Sequence, residues 1–157
     1  MKKLPIYPHC FICGEKNKAG INVVFFTMED SMQCEYIARE EHISYQGILH
    51  GGIISVLLDE CMGWSIAVKA KKMFLTRELN IQYRRFIPVN TKVIVRGFCS
   101  ADEVTLNKRI ITAHGHIEDL IGNVYAKAEG KFVPISMITG SFMIFIFDLG
   151  RYRRRFP

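Results

Sequence analysis

Few features of this chain set it apart from ordinary globular proteins. It has only 5 prolines and 12 glycines in 157 residues, which excludes a collagenous or proline-rich chain. The sequence contains no internal repeat and no low-complexity tract. Hydrophobic residues make up 49% of the chain and charged residues 23%, a balance that excludes wholesale disorder. We expect a single domain over residues 1–134, with an irregular segment at 1–19.

A secretory signal is also lacking. Residues 4–8 form a short apolar stretch that is interrupted by prolines, and no small-residue cleavage site follows it. The five cysteines are odd in number and scattered, which argues against a disulfide framework. Both observations favour a protein of the reducing cytoplasm.

The sequence offers no complete metal-binding motif. Cys10 and Cys13 form a CxxC pair beside His9, which is half of a zinc site or a redox pair. A tetrahedral zinc site needs four ligands, and no second CxxC or HxxxH pair supplies the others. We therefore expect no metal ion, and a turn with two packed thiols.

Acidic residues are in the minority, since 15 Asp and Glu stand against 21 Lys and Arg, a net charge of +6. Such an excess suits an anionic ligand, a nucleic acid or a membrane surface. Part of this positive charge is concentrated at one place, because four arginines lie within residues 151–155. No helix-turn-helix, zinc-finger or RNP-like motif accompanies the charge, so we do not expect nucleic-acid binding.

The hydrophobic pattern predicts an α+β domain. Two patterns predict strands before and after one long helix. One is the alternation of apolar and polar residues, and the other is a run of β-branched and aromatic residues between turn residues. Strands that are grouped after one helix and joined by short turns imply an antiparallel sheet wrapped around that helix. The predicted strands cover residues 20–27, 32–39, 76–87, 91–100, 104–118 and 124–133, and the helix covers 50–68.

The helical run is nearly all apolar, and Asp59 and Glu60 are its only charged residues. Its length would suit a membrane span, but two adjacent carboxylates in the middle argue against one. We predict a central helix that is buried all round, with Gly51 and Gly52 at its start. Carboxylates in an apolar helix are hard to justify by packing, so Asp59 is the leading candidate for a functional residue.

Three segments resemble hotdog-fold thioesterases of the PaaI-like branch. They are GILHGG at 47–52 with Asp59 nine residues after His50, TRELNIQY at 76–83, and HCFICG at 9–14. The resemblance covers roughly residues 9–134. It implies a hotdog fold and hydrolysis of small to medium acyl or aryl thioesters of coenzyme A. It also implies that no cofactor is needed, since coenzyme A is part of the substrate.

The resemblance also implies roles for individual residues. The backbone amide of Gly51, at the positive end of the helix, would hold the oxyanion. Asp59 would be the general base or the nucleophile, a choice that the sequence leaves open. Thr76 would position water, and His50 would orient the turn or contact the thioester. The candidates for substrate binding are Ser44 (where the family often has Asn), Gln46, Gly52, Glu60, Arg84 and Arg85.

The spacing of the motif predicts a site built from two chains. Nine residues of helix correspond to about 2.5 turns, or roughly 13 Å, and place His50 and Asp59 on nearly opposite faces. We therefore expect a homodimer, and the sequence does not distinguish it from a homotetramer. Two alternatives stay open: a hotdog dehydratase or hydratase, and a non-catalytic module that binds acyl-CoA.

The end of the chain is unusual. Residues 134–147 carry no charge, and the arginine-rich stretch follows almost at once. The apolar run is too short to span a bilayer. We expect it to pack on the domain or at an oligomer contact; docking on an anionic membrane and an abnormal terminus are the alternatives.

Overall fold

The computed structural model describes residues 1–4, 6–29, 31–70, 73–101 and 109–134. Among them, seven strands form one antiparallel sheet in the order β1-β2-β3-β7-β8-β9-β6, and β4 and β5 form a separate hairpin. One helix, α1, packs on the large sheet. The elements are β1 (Lys2–Lys3), β2 (Phe25–Thr27), β3 (Met32–Ile37), β4 (Ile43–Tyr45), β5 (Ile48–Leu49), α1 (Gly51–Ala70), β6 (Phe74–Tyr83), β7 (Lys92–Phe98), β8 (Ile111–Asp119) and β9 (Val124–Pro134). The predicted α+β architecture is confirmed.

One side of α1 forms the centre of the core. Its buried residues recur every three or four positions, as expected for a helix that packs through one face: Ile54, Leu57, Leu58, Cys61, Met62, Ser65 and Ile66. By length and composition α1 is also apolar enough to cross a membrane. Among the described residues, one sheet covers α1 and residues on its other side stay partly exposed, so the prediction of a helix buried all round is wrong for this part of a single chain.

The sheet offers the helix a surface of small residues. On the inner face of β9, Ala126, Ala128, Gly130 and Phe132 are buried. The closest approach is at Gly97 of β7, where an added Cβ would lie 2.4 Å from the Cys61 carbonyl oxygen. The helix backbone therefore rests directly on the sheet at this point.

Several boundaries differ from the prediction. The predicted first strand shrinks to β2, because Ile21 and Val23 donate their N–H groups to the carbonyls of Phe11 and Ile12 in the N-terminal segment. The hairpin of β4 and β5 was not predicted. Of the predicted strand 104–118 the structure describes residues 109–118, within which β8 begins at Ile111; residues 104–108 and the tail at 135–157 lie outside the described residues.

Candidate active site

The start of α1 is shaped by an imidazole cap. His50 precedes the helix instead of lying in it, and its Nδ1 accepts the N–H of Gly52 at 2.8 Å. The His50 carbonyl accepts the N–H groups of Ile53 and Ile54. The N–H of Gly51 finds no acceptor among the described residues. A polarised donor is thus available at the positive end of the helix.

Gly52 makes this cap sterically feasible. A Cβ at that position would lie 2.9 Å from Nδ1 of His50, so any other residue would displace the imidazole from this hydrogen bond. Both His50 and Gly52 are exposed. The imidazole of His50 is thus hydrogen-bonded to the first turn of the helix, and Gly52 leaves room for the ring.

Two residues that sequence reasoning missed fix the first peptide of the helix. Ser55 Oγ lies 3.0 Å and Tyr83 Oη 3.3 Å from the Gly51 carbonyl oxygen, and the two hydroxyls lie 2.7 Å apart. Because each hydroxyl has a single proton, one of them donates to the carbonyl and the other donates to that first hydroxyl. Tyr83 lies at the end of β6, and no local pattern in the sequence links it to the start of the helix.

Asp59 and Thr76 meet across the helix and β6. Thr76 Oγ1 donates to Asp59 Oδ1 at 2.7 Å. A β-bulge lies beside this contact, because Thr76 pairs with Phe132 whereas Glu78 pairs with the next residue, Lys131. Burial raises the pKa of the Asp59 carboxyl, and the hydrogen bond from Thr76 offsets part of the rise. Such a carboxylate is a stronger base than a solvated one.

Gly51 and Asp59 cannot act on the same thioester within one chain. They are separated by eight residues of continuous helix, about 12 Å along its axis. The structure therefore brings together Asp59 with Thr76, and His50 with Gly51 and Gly52, as two clusters at different heights on α1.

Glu60 belongs to a third cluster. Its Oε1 accepts Nε1–H of Trp64 at 3.1 Å and lies 3.9 Å from Cys10 Sγ. Burial raises the pKa of Glu60 to about 7. A hydrogen bond from Cys13 lowers the pKa of the Cys10 thiol to about 5, and the same contact raises the pKa of Cys13. Among the described residues, the side chains of Cys10, Cys13 and Glu60 form a group that could hold a metal ion.

The remaining predicted residues lie apart from these clusters. Ser44 and Gln46 are exposed at the hairpin of β4 and β5. Arg84 and Arg85 are exposed just after β6, where Arg85 donates to Asn123 Oδ1 at 3.3 Å. No hydrogen bond or ion pair within the described parts of the chain joins any of them to Asp59 or Gly51.

Comparison with known proteins supplies the family. The sequence profile of the thioesterase superfamily matches residues 46–126, just over half of the chain. A search among proteins of curated function found no match.

Solved structures agree with this profile. A thioesterase superfamily protein is 27% identical with a TM-score of 0.72, over 80% of this chain and 63% of that one, so the chain spans less than two thirds of that relative. A Streptococcus mutans protein bound to acetyl-CoA is 19% identical with a TM-score of 0.63, over 73% of this chain and 90% of that one.

A hypothetical thioesterase of Streptococcus pneumoniae, solved with coenzyme A, is 18% identical with a TM-score of 0.62, over 73% and 90% of the two chains. At these identities the similarity to the two streptococcal structures establishes the fold alone. The long helix on an antiparallel sheet is a hotdog fold, and the chain belongs to the thioesterase superfamily.

Proposed function

We propose that the protein hydrolyses thioesters between coenzyme A and small to medium acyl or aryl groups. The observation that carries the proposal is the half-buried Asp59 carboxylate, held by Thr76 at 2.7 Å, in a member of the thioesterase superfamily. The N–H of Gly51, which has no acceptor in the described part of the chain, supplies the second element that thioester hydrolysis needs. The reaction adds water across the C–S bond and releases a carboxylic acid and the coenzyme A thiol, without a metal or redox cofactor.

The chemistry divides between the two clusters. The thioester carbonyl oxygen accepts the N–H of Gly51, and the positive end of α1 stabilises the negative charge that develops on this oxygen. Asp59 either takes a proton from water or attacks the carbonyl carbon to form an anhydride that water then cleaves. Thr76 keeps the carboxylate oriented in both cases. The thiolate of coenzyme A leaves and is protonated.

The proposal requires two copies of the chain, with Asp59 of one facing Gly51 of the other. The exposed surfaces support such a dimer. Strand β6 is an edge of the sheet and is ten residues long, and Leu75 and Tyr83 on it are 65% and 53% exposed. Long apolar edge strands are usually covered. A tetramer would pair two such dimers.

Contacts to the rest of the substrate are part of the proposal. Arg84 and Arg85 would meet the phosphates of coenzyme A, because guanidinium groups bind phosphate oxygens in pairs. Ser44 and Gln46 would lie near the acyl group. None of the five cysteines, all of which the structure describes, forms a disulfide, which supports a place in the reducing cytoplasm.

The test is hydrolysis of a panel of acyl- and aryl-CoA thioesters, followed by release of the free thiol. We expect turnover by the wild type and a loss of about a hundredfold or more in Asp59→Asn, because the variant lacks the base or nucleophile. Glu129→Gln is the matched control: it neutralises an exposed carboxylate on the outer face of β9 and should keep full activity.

Two results would overturn the proposal. Binding of the CoA esters without turnover of any of them would make the protein a binding module. Equal turnover by wild type and Asp59→Asn would remove Asp59 from the chemistry. In a first turnover in H₂¹⁸O, an unlabelled acid product identifies Asp59 as the nucleophile, because water that cleaves the anhydride at the Asp59 carbonyl leaves the original carboxylate oxygen on the product.

A further inference from the structure

The N-terminal loop places two thiols against a carboxylate in the middle of the central helix. Single ligand atoms of Cys10, Cys13 and Glu60 all lie within 4.8 Å of one another. Cys13 is buried, and the other two are half-buried. Cys10 and Glu60 are separated by 50 residues, so no spacing motif in the sequence connects them.

The turn around the thiols is shaped to present sulfur as an anion. Cys10 Sγ accepts the N–H groups of Ile12 at 3.3 Å and of Cys13 at 3.5 Å. Gly14 closes the turn by donating its N–H to the Cys10 carbonyl at 3.0 Å. A Cβ at Gly14 would lie between 2.4 and 2.6 Å from backbone atoms of Cys10 and Pro8, so only glycine fits. Backbone amides aimed at a sulfur support it as a metal ligand.

The carboxylate is oriented as well. Trp64, one turn further along α1, donates Nε1–H to Glu60 Oε1 at 3.1 Å. Polar groups that hold a ligand from behind are a regular part of metal sites. Without a cation, three groups that can carry negative charge would share a half-buried space.

The spacing fits one small cation. In a tetrahedral zinc site with Zn–S bonds of about 2.3 Å and Zn–O bonds of about 2.0–2.2 Å, neighbouring ligand atoms lie about 3.5–3.8 Å apart. The sulfur of Cys10 lies 3.9 Å from Glu60 Oε1. Two sulfur ligands favour zinc over magnesium or calcium, which prefer oxygen.

We propose that Cys10, Cys13 and Glu60 bind a zinc ion that ties the N-terminal loop to α1. The fourth position is left for a water molecule or for the adjacent, exposed His9. The role of this ion is structural: it joins residues before β2 to the core helix, and the hydrolysis proposed above takes place without it. The expectation of no metal rested on two ligands, and the helix supplies the third.

Cobalt is the probe for this site, because Co²⁺ takes the ligands of zinc and is coloured. The reduced, metal-free full-length protein should bind one equivalent of Co²⁺ with a thiolate-to-metal charge-transfer band, and Zn²⁺ should displace it. Cys10→Ser combined with Cys13→Ser should abolish the band. Glu60→Gln should weaken binding, about 10-fold or more, while the band persists.

Two variants serve as matched controls. Cys99→Ala removes another buried cysteine that forms no disulfide and should leave the band unchanged. Asp59→Asn removes the neighbouring carboxylate and should also bind cobalt normally, so that failure of the hydrolysis proposal and failure of this one are distinguishable.

A measurement on the wild type keeps the test decisive if the cysteine variants do not fold. Zinc in excess should raise the Tm of the wild type and a chelator should reverse this, because a ligand that binds only the folded state stabilises it. The proposal is overturned by a reduced protein that binds no cobalt, by a band that survives loss of both cysteines, or by a Cys10–Cys13 disulfide in a protein that binds no metal after reduction.

Discussion

Two opposing influences act on the Asp59 carboxyl. Burial raises its pKa and the hydroxyl of Thr76 lowers it. A catalytic base must be ionised to work, so activity falls as the pH drops through the pKa of this carboxyl. At the scale of single residues, the contact between Asp59 and Thr76 thus sets both the geometry and the acidic limit of the proposed reaction.

Thr76→Val tests this contact with almost no change in shape. A hydrogen bond to a charged group contributes about 1.5–3 kcal/mol, so kcat should fall about 10- to 100-fold. The pKa of Asp59 should rise in the variant, and the acidic limb of the pH–kcat profile should therefore move to higher pH. Thr76→Ser keeps the hydroxyl and should restore the wild-type profile. A lower kcat with an unmoved acidic limb would contradict the coupling.

At the scale of elements, the contact between α1 and the sheet depends on residues without side chains. A Cβ at Gly97 would meet the Cys61 carbonyl at 2.4 Å, and a backbone oxygen cannot move aside without bending the helix. Gly63 on α1 is different, since an added Cβ would meet only a Phe132 ring carbon at 3.8 Å. The two glycines therefore have opposite predicted responses to the same substitution.

Gly97→Ala should lower the free energy of unfolding by about 2 kcal/mol or more through overpacking. Gly63→Ala should raise it by about 0.5–1 kcal/mol, because alanine is the better helix former inside a helix. Urea denaturation of both variants at one protein concentration measures the difference. A similar change in both variants would mean that the close approach at Gly97 is not what limits packing.

The elements that the sequence predicts well are those whose signal is local. The apolar run of α1 and the alternation in β7 and β9 were enough to place them. The segment at 20–24 looks like a strand by composition, but its amide groups pair with the N-terminal loop, a partner that composition does not specify. The same limit applies to the site: Asp59 stands out by its charge, whereas Tyr83 and the contact between Glu60 and Cys10 depend on the fold.

At the scale of the whole molecule, the proposed site exists only between two chains. Gly51 and Asp59 are too far apart on one helix, the outer side of α1 is partly exposed, and most residues of the edge strand β6 are exposed. Each dimer would then contain two sites, and each site would take its oxyanion donor from one chain and its carboxylate from the other.

Complementation between two inactive variants tests this arrangement. Gly51→Pro removes the N–H at the first position of the helix, where proline is tolerated, and should be inactive, as should Asp59→Asn. Mixing and re-pairing the chains should restore about a quarter of the wild-type activity, because half of the dimers are mixed and each has one intact site. No recovery in a mixture shown to contain mixed dimers would place both groups in the same chain.

The bulge in β6 also determines which residues of that strand share a face. Leu79 and Ile81 of β6 pack against the core. In a regular strand, residue 77 would lie on the same side of the strand as these two residues. Because Arg77 is an extra residue in the strand, the even-numbered residues before it lie on the core side: Phe74 packs against the core and Thr76 reaches Asp59. A single inserted residue thus lets odd positions face the core after the bulge and even positions before it, where Thr76 also reaches the carboxylate.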